Sequence, residues 1–140
     1  MARREVFADT SGLYALIDRN DVAHAVARQA VGDLLRAGRR LLVTDYVIDE
    51  TVTLAKARGG SLLAERVLDL VEQSRGIRVE WIGLERFEST RAFFRRHADH
   101  AYSFTDCSSF VVMRELRLTQ ALTTDRHFLE AGMESLLPVS

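Results

Sequence analysis

Val6-Phe7-Ala8-Asp9-Thr10-Ser11-Gly12 is the stretch whose reading decides the fold. Its first three residues are apolar and suited to a strand that is buried on both faces, as in parallel sheets. Asp9 then stands where the strand leaves the sheet, the edge at which open α/β sheets bind ligands. Thr10 and Ser11 are expected to cap a following helix, whose apolar face is suggested by Leu13, Leu16 and Ile17. Taken alone, Asp9 could be no more than a turn residue or a helix cap.

The same arrangement returns near the other end of the chain. Thr119-Gln120-Ala121-Leu122-Thr123-Thr124 reads as a strand that delivers Asp125, and a short helix through Phe128 and Leu129 stops at Gly132. Between these ends, strand and helix patterns alternate. Asp21 is a good N-cap, with His24 three places on, for a helix with Val22, Val26, Ala30 and Leu34 at helical spacing up to Gly38. Arg40 to Thr44 reads as the second strand. Asp45 begins a helix with a stripe of Val47, Ile48, Thr51, Val52 and Ala55, and Glu50 stands beside that stripe.

Gly59-Gly60 breaks the pattern, and Ser61 is positioned to cap a helix carrying Leu63, Val67, Leu70 and Val71. Ile77 to Ile82 alternates as a half-exposed edge strand would, and Gly83 ends it. Leu84 to His97 resumes helical spacing through Phe87, Thr90 and Phe94, with Arg91, Arg95 and Arg96 on the other side. Ser103 and Asp106 have capping-box spacing at the start of an apolar helix with Phe110, Val111, Met113 and Leu116. Leu136-Leu137-Pro138-Val139 reads as a final edge strand, where proline is tolerated. Such alternation implies right-handed crossovers and one parallel sheet covered on both faces.

The chain has 140 residues, 47% of them hydrophobic and 28% charged, with a net charge of −1. These values fit one globular domain over 1–140 and exclude a strongly basic nucleic-acid binder. Lys56 is the only lysine among 19 basic residues. One cysteine, Cys107, rules out an internal disulfide and fits a reducing compartment. Glu5 and Asp9 interrupt the apolar run that a signal peptide would need after Arg3-Arg4, and no stretch reaches transmembrane length. A cytoplasmic protein is expected.

Asp9 and Asp125 follow strands running the same way, Asp106 opens a helix entering from that side, and Glu50 lies early in another. Four carboxylates can therefore meet in one cleft. Two such charges about 4 Å apart repel by roughly 4 kcal/mol at an effective dielectric near 20. Protonation, an arginine such as Arg126, or divalent cations could compensate. Oxygen ligands alone favour Mg²⁺ or Mn²⁺ over zinc.

With Asp9-Thr10-Ser11, Glu50, Ser103-Phe104-Thr105-Asp106 and Thr124-Asp125-Arg126-His127-Phe128 in this order, the chain resembles the PIN-domain nucleases. Within them it is most similar to the VapC toxins of type II toxin–antitoxin pairs. The likeness runs from Val6 to Pro138. It implies a three-layer α/β/α sandwich with a mainly parallel sheet of four to five strands. It also implies metal-binding, catalytic roles for Asp9, Glu50, Asp106 and Asp125, with Ser11 or Thr105 as supporting hydroxyls. The expected chemistry is Mg²⁺- or Mn²⁺-dependent hydrolysis of RNA, with tRNA or rRNA as the substrate class. Arg91, Arg95 and Arg126 are candidate RNA contacts. A VapB-like antitoxin and a homodimer are the expected partners, the latter marked by an exposed apolar patch on the early helices.

Other classes fit less of the pattern. A stand-alone PIN nuclease in RNA processing would carry the same acids. Haloacid-dehalogenase-type phosphatases place a second aspartate two residues after the first, where this chain has Ser11. Receiver domains need a lysine near a late strand, whereas Lys56 falls on a helix. His97, His100 and Cys107 lack an evident fourth zinc ligand. Metal-free cleavage by His97, His100 or His127 leaves the acids unexplained. Cys107 has no evident base partner. A purely binding module would use the acidic cleft to receive an arginine from another chain.

Overall fold

The computed structural model describes residues 5–140. Arg3 and Arg4, which entered the signal-peptide reading, lie outside the described residues. The elements in chain order are β1 (Glu5–Ala8), α1 (Thr10–Ile17), α2 (His24–Arg36), β2 (Arg40–Thr44), α3 (Asp45–Gly59) and α4 (Ser61–Gln73), followed by β3 (Ile77–Glu80), α5 (Gly83–Arg96), α6 (Phe104–Glu115), β4 (Gln120–Leu122), α7 (Arg126–Glu130) and β5 (Glu134–Ser135). The five strands form one parallel sheet in the order β3-β2-β1-β4-β5. Helices α1 to α4 pack together, as do α5 to α7, so the sheet lies between two helical layers. This is the expected α/β/α sandwich.

The order explains where the site sits. The chain builds outward from β1 to β3, then crosses back to lay β4 on the other side of β1. The direction of winding reverses between β1 and β4, which opens a crevice at their C-terminal ends. Val6, Phe7 and Ala8 are fully buried, as are Leu41 to Val43, Ala121 and Leu122. That is why these strands read as continuous apolar runs instead of alternating ones. Edge strand β3 is only half-buried along its length, as its alternation suggested. Gly12 lets α1 press against β4, since a Cβ there would stand 1.8 Å from the Leu122 carbonyl oxygen.

Several local readings need correction. Helix α1 is capped by Asp9 itself, and Thr10 and Ser11 lie in its first turn. Asp21 does not cap α2. Its carboxylate accepts from the Ala23 amide in a turn, and the helix starts at His24 without a side-chain cap. The buried face of α2 is Ala27, Val31 and Leu34, while Val22 and Val26 are exposed. Residues at successive steps of four drift by about 40° per step, so a Val22-Val26-Ala30-Leu34 stripe leaves the core face.

Gly60, not Ser61, precedes α4 at its N-cap. On α5 the buried residues are Thr90 and Phe93, while Phe94 is part-exposed with its ring edge-on to Phe104 of α6. The last strand is Glu134–Ser135, ahead of the expected 136–139. Ser135 ends it by donating its hydroxyl to the Thr123 carbonyl and accepting from the Leu137 amide, which turns Leu137 into the core.

Candidate active site

Asp9 occupies the N-cap of α1 in extended geometry, and its side chain is saturated with donors. Oδ1 accepts from the Gly12 amide at 2.8 Å and from the Ser11 hydroxyl at 2.8 Å, and Oδ2 accepts from the Thr123 hydroxyl at 2.8 Å. The residue is 5% exposed. Burial pushes its carboxyl up to about 7, against the opposing pull of Gly12, Thr123 and Ser11, while Asp125 adds repulsion.

The turn after β4 is tied to the same residues. Ser11 Oγ accepts from the Thr124 amide at 2.9 Å, and Thr123 Oγ1 accepts from the Asp125 amide at 3.0 Å. Asp125 then caps α7 by accepting from the His127 amide at 2.9 Å. Asp106 is held by its capping box with Ser103, in which each side chain accepts from the other's backbone amide. Its carboxyl is raised, chiefly by burial and then by Asp125, while Ser103 and His127 oppose the shift.

His127 reaches both acids, with Nδ1 3.1 Å from Asp106 Oδ2 and 3.4 Å from Asp125 Oδ1. Asp106, Asp125 and His127 each offer a ligand atom, and these atoms lie within 4.8 Å of one another. Glu50 is exposed one turn into α3, where it accepts a hydrogen bond from the Thr10 hydroxyl.

All four acids named from the sequence line one cavity of about 310 Å³, together with Thr10, Ser11 and Thr105. Three features were not read from the sequence. Thr10 is more than a helix starter, because it tethers Glu50 to α1. His127 joins the acids, whereas His97 and His100 gather with Phe93 and Tyr102. Its place two residues after Asp125 was the available signal, since Asp125 caps the helix on which it lies.

The third is Arg58. It is the one cation lining the cavity among the described residues, whereas Arg91, Arg95 and Arg126 do not line it. Val47, Glu50, Leu54 and Arg58 follow steps of three, four and four, which puts them on one side of α3. Arg126 makes no ion pair with the acids among the described residues. The Asp9 and Asp106 carboxyls are raised, chiefly by burial, and the His127 ring lies against Asp106 and Asp125. Cys107 is fully buried, and burial pushes its thiol up to about 11, which fits a packing residue.

The PIN domain family model matches residues 6–133. This chain belongs to the PIN-domain family. The chain is 30% identical over 135 residues to the 23S rRNA-specific endonuclease VapC20 of Mycobacterium tuberculosis, covering 95% of this chain and 98% of that protein. The crystal structure of M. tuberculosis VapC20, described as a sarcin–ricin loop cleaving toxin, superposes with a TM-score of 0.83 over 95% of this chain and 99% of its own. FitAcB from Neisseria gonorrhoeae matches with a TM-score of 0.60 at 13% identity, covering 93% of this chain and 95% of its own, a likeness of fold alone. In this PIN domain the acids stand at the winding reversal of the sheet and line one cavity.

Proposed function

We propose that this PIN-domain chain is a VapC-type toxin, an endoribonuclease that hydrolyses RNA phosphodiesters with the help of Mg²⁺ or Mn²⁺. The observation that carries this reading is the convergence of Asp9, Glu50, Asp106 and Asp125 on one cavity in a chain of this family. The donor set fits a hard divalent cation. Asp106, Asp125 and His127 offer ligand atoms close together, and Asp9 beside them has, like Asp106, a carboxyl raised chiefly by burial and further by the charge of Asp125. Asp106, Asp125 and His127 would hold the cation, with Asp9 and Glu50 completing the acidic lining. When bound, such a cation activates water and neutralises charge on the transferring phosphate.

The chain's own residues supply position. Gly12, Ser11 and Thr123 fix both oxygens of Asp9. The capping box fixes Asp106, and Thr10 holds Glu50 over the cleft. Ser11 and Thr123 also brace the backbone that presents Asp125. This preorganisation matters because a small displacement of catalytic groups costs large factors in rate.

Ribosomal RNA is favoured over tRNA as the substrate, by similarity to the VapC20 endonuclease over nearly the whole of both chains. The same similarity favours a toxin over a stand-alone nuclease of RNA processing. A VapB-like antitoxin would block the cleft with an arginine-bearing segment, and a cytoplasmic location follows. A homodimer would use the face bearing Trp81 (69% exposed), Leu84 (74%), Phe87 (37%) and Phe94 (41%). Leu84, Phe87 and Phe94 lie on α5 and Trp81 just after β3, while the early part of the chain, where such a patch was expected, also exposes Val22, Val26 and Leu35.

The test is cleavage of a labelled 23S rRNA fragment with Mg²⁺ or Mn²⁺. The proposal expects cutting that stops with EDTA and with Asp106→Asn. Undiminished cutting in both controls would refute it.

A further inference from the structure

The acidic cavity has a second end. Along α3, Arg58 lies eight residues beyond Glu50, about 12 Å further at a rise of about 1.5 Å per residue. Leu54 lines the wall between them, and the cavity runs on to Tyr14. The Arg58 guanidinium lies over the Tyr14 ring, 5.3 Å from its centroid. Tyr14 is 3% exposed and donates to Asp18 Oδ2 at 2.5 Å, so the platform under the arginine is held by packing and by a hydrogen bond.

The carboxylates nearest this end are engaged by neighbouring donors. Asp18 also accepts from the Asn20 amide at 2.9 Å, and Asp21 accepts from the Ala23 amide at 2.9 Å. Among the described residues, no carboxylate lies within ion-pair distance of Arg58, whose guanidinium also interacts with the Tyr14 hydroxyl and the charge of Asp18. Arg58 is thus a restrained, permanently charged fork that lines the cleft, is exposed to it, and carries more donors than its contact with Tyr14 uses.

We propose that Arg58, seated on Tyr14, is a phosphate-holding subsite that grips the RNA backbone beside the cut. The inference rests on the nuclease reading and adds the direction in which the strand runs, from the carboxylates along α3 toward its C-terminal end. A stacked strand advances about 3.4 Å per nucleotide, so Arg58 meets a phosphate within a few nucleotides of the acids. Backbone contact of this kind positions the strand and carries no sequence preference. Tyr14 acts through Arg58 and is a positioning residue.

The experiment uses an RNA containing the sarcin–ricin loop. Binding is measured by fluorescence anisotropy across a salt series, on Asp9→Asn protein so that no cutting occurs. Adding Arg58→Ala should weaken binding about tenfold at moderate salt, the scale of one charge-assisted contact. It should also lower the slope of log affinity against log salt by about 0.7, the share of one phosphate on a single strand. Arg58→Lys should restore most of that slope while recovering less of the affinity.

In otherwise wild-type protein, Arg58→Ala should raise KM about tenfold and change kcat little, because the contact is the same in ground and transition states. An unaltered slope and affinity in Arg58→Ala would overturn the proposal. So would a loss confined to kcat. Those outcomes are distinct from failure of the nuclease reading, which would appear as no metal-dependent cutting by the unmutated chain. Equal thermal melting of the Arg58 variants and their parent shows that a lost slope is not lost structure.

Discussion

Asp9→Asn removes one negative charge from the cleft while keeping the size of the side chain and its place as the cap of α1. The structure sets the magnitude. The Asp9 carboxyl is raised from 3.8 to about 7 by burial. A difference of about 3 units corresponds to about 4 kcal/mol. The folded pKa lies above the unfolded one, so the folded state holds the proton more tightly. Stability associated with this group is therefore fully present below about pH 4 and declines as pH rises toward 7. At pH 5 most of that decline, about 2–3 kcal/mol, is still to come.

Asparagine cannot ionise. Its oxygen can accept from Gly12 and Ser11, and Thr123 can turn its O–H away and accept from the amide NH2 at a cost of about 1 kcal/mol. That cost does not vary with pH. Urea unfolding of both proteins in EDTA should show the stability of Asp9→Asn gaining on wild type by about 2–3 kcal/mol between pH 5 and pH 8. Near the midpoint of melting this is roughly 6–10 °C for a chain of this size. The variant should cut no RNA. A stability difference that stays constant across this pH range would refute the reasoning, because the carboxylate would then carry no burial penalty.

Four further outcomes follow from the structure. Gly12→Ala should destabilise the fold by about 3 kcal/mol or more in chemical denaturation, since its Cβ would collide with the Leu122 carbonyl at 1.8 Å. Cys107 should resist iodoacetamide at pH 8 in the native state and react only as fast as the chain opens, because its thiol is buried and raised to about 11. His127→Gln should weaken Mn²⁺ binding about tenfold in calorimetry, the scale expected for loss of a group at or beside a metal. For the proposed homodimer through the α5 face, Phe94→Glu should shift the sedimentation of a dimer to that of a monomer in analytical ultracentrifugation without loss of the fold, since Phe94 is already 41% exposed.

Much of the fold was legible because the buried strands carry little but apolar residues. Val6 to Ala8 and Leu41 to Val43 have no polar side to confuse the reading, and each ends where a carboxylate or a cap begins. The acids of the site were legible for a related reason: three of the four also act at helix starts, with Asp9 and Asp125 as caps and Asp106 in a capping box. Helix-start chemistry and the cleft coincide because both use the C-terminal edge of the sheet.

Side-chain direction was harder to read. The stripe chosen on α2 drifted off the core, since apolar Val22 and Val26 face outward. Phe93 and Phe94 adjoin, and spacing alone did not show which is buried. Arg58 was passed over because its link to Glu50 lies in the steps along α3 and not in a local motif. Thr10 and His127 became visible as parts of the site only when α1 met α3 and α7 met α6. The end of the chain was misplaced because Ser135 ends the strand through its own hydroxyl, a bond with no sequence signature stronger than that of any serine.

The central claim is that the acids of the winding reversal share a divalent cation. Anomalous diffraction from crystals soaked in Mn²⁺ tests it most directly. The account predicts a strong manganese peak in the cleft, within about 2.0–2.3 Å of carboxylate oxygens of Asp106 and Asp125. A clean map in that cleft at saturating Mn²⁺, from protein that still cuts RNA in EDTA, would contradict it.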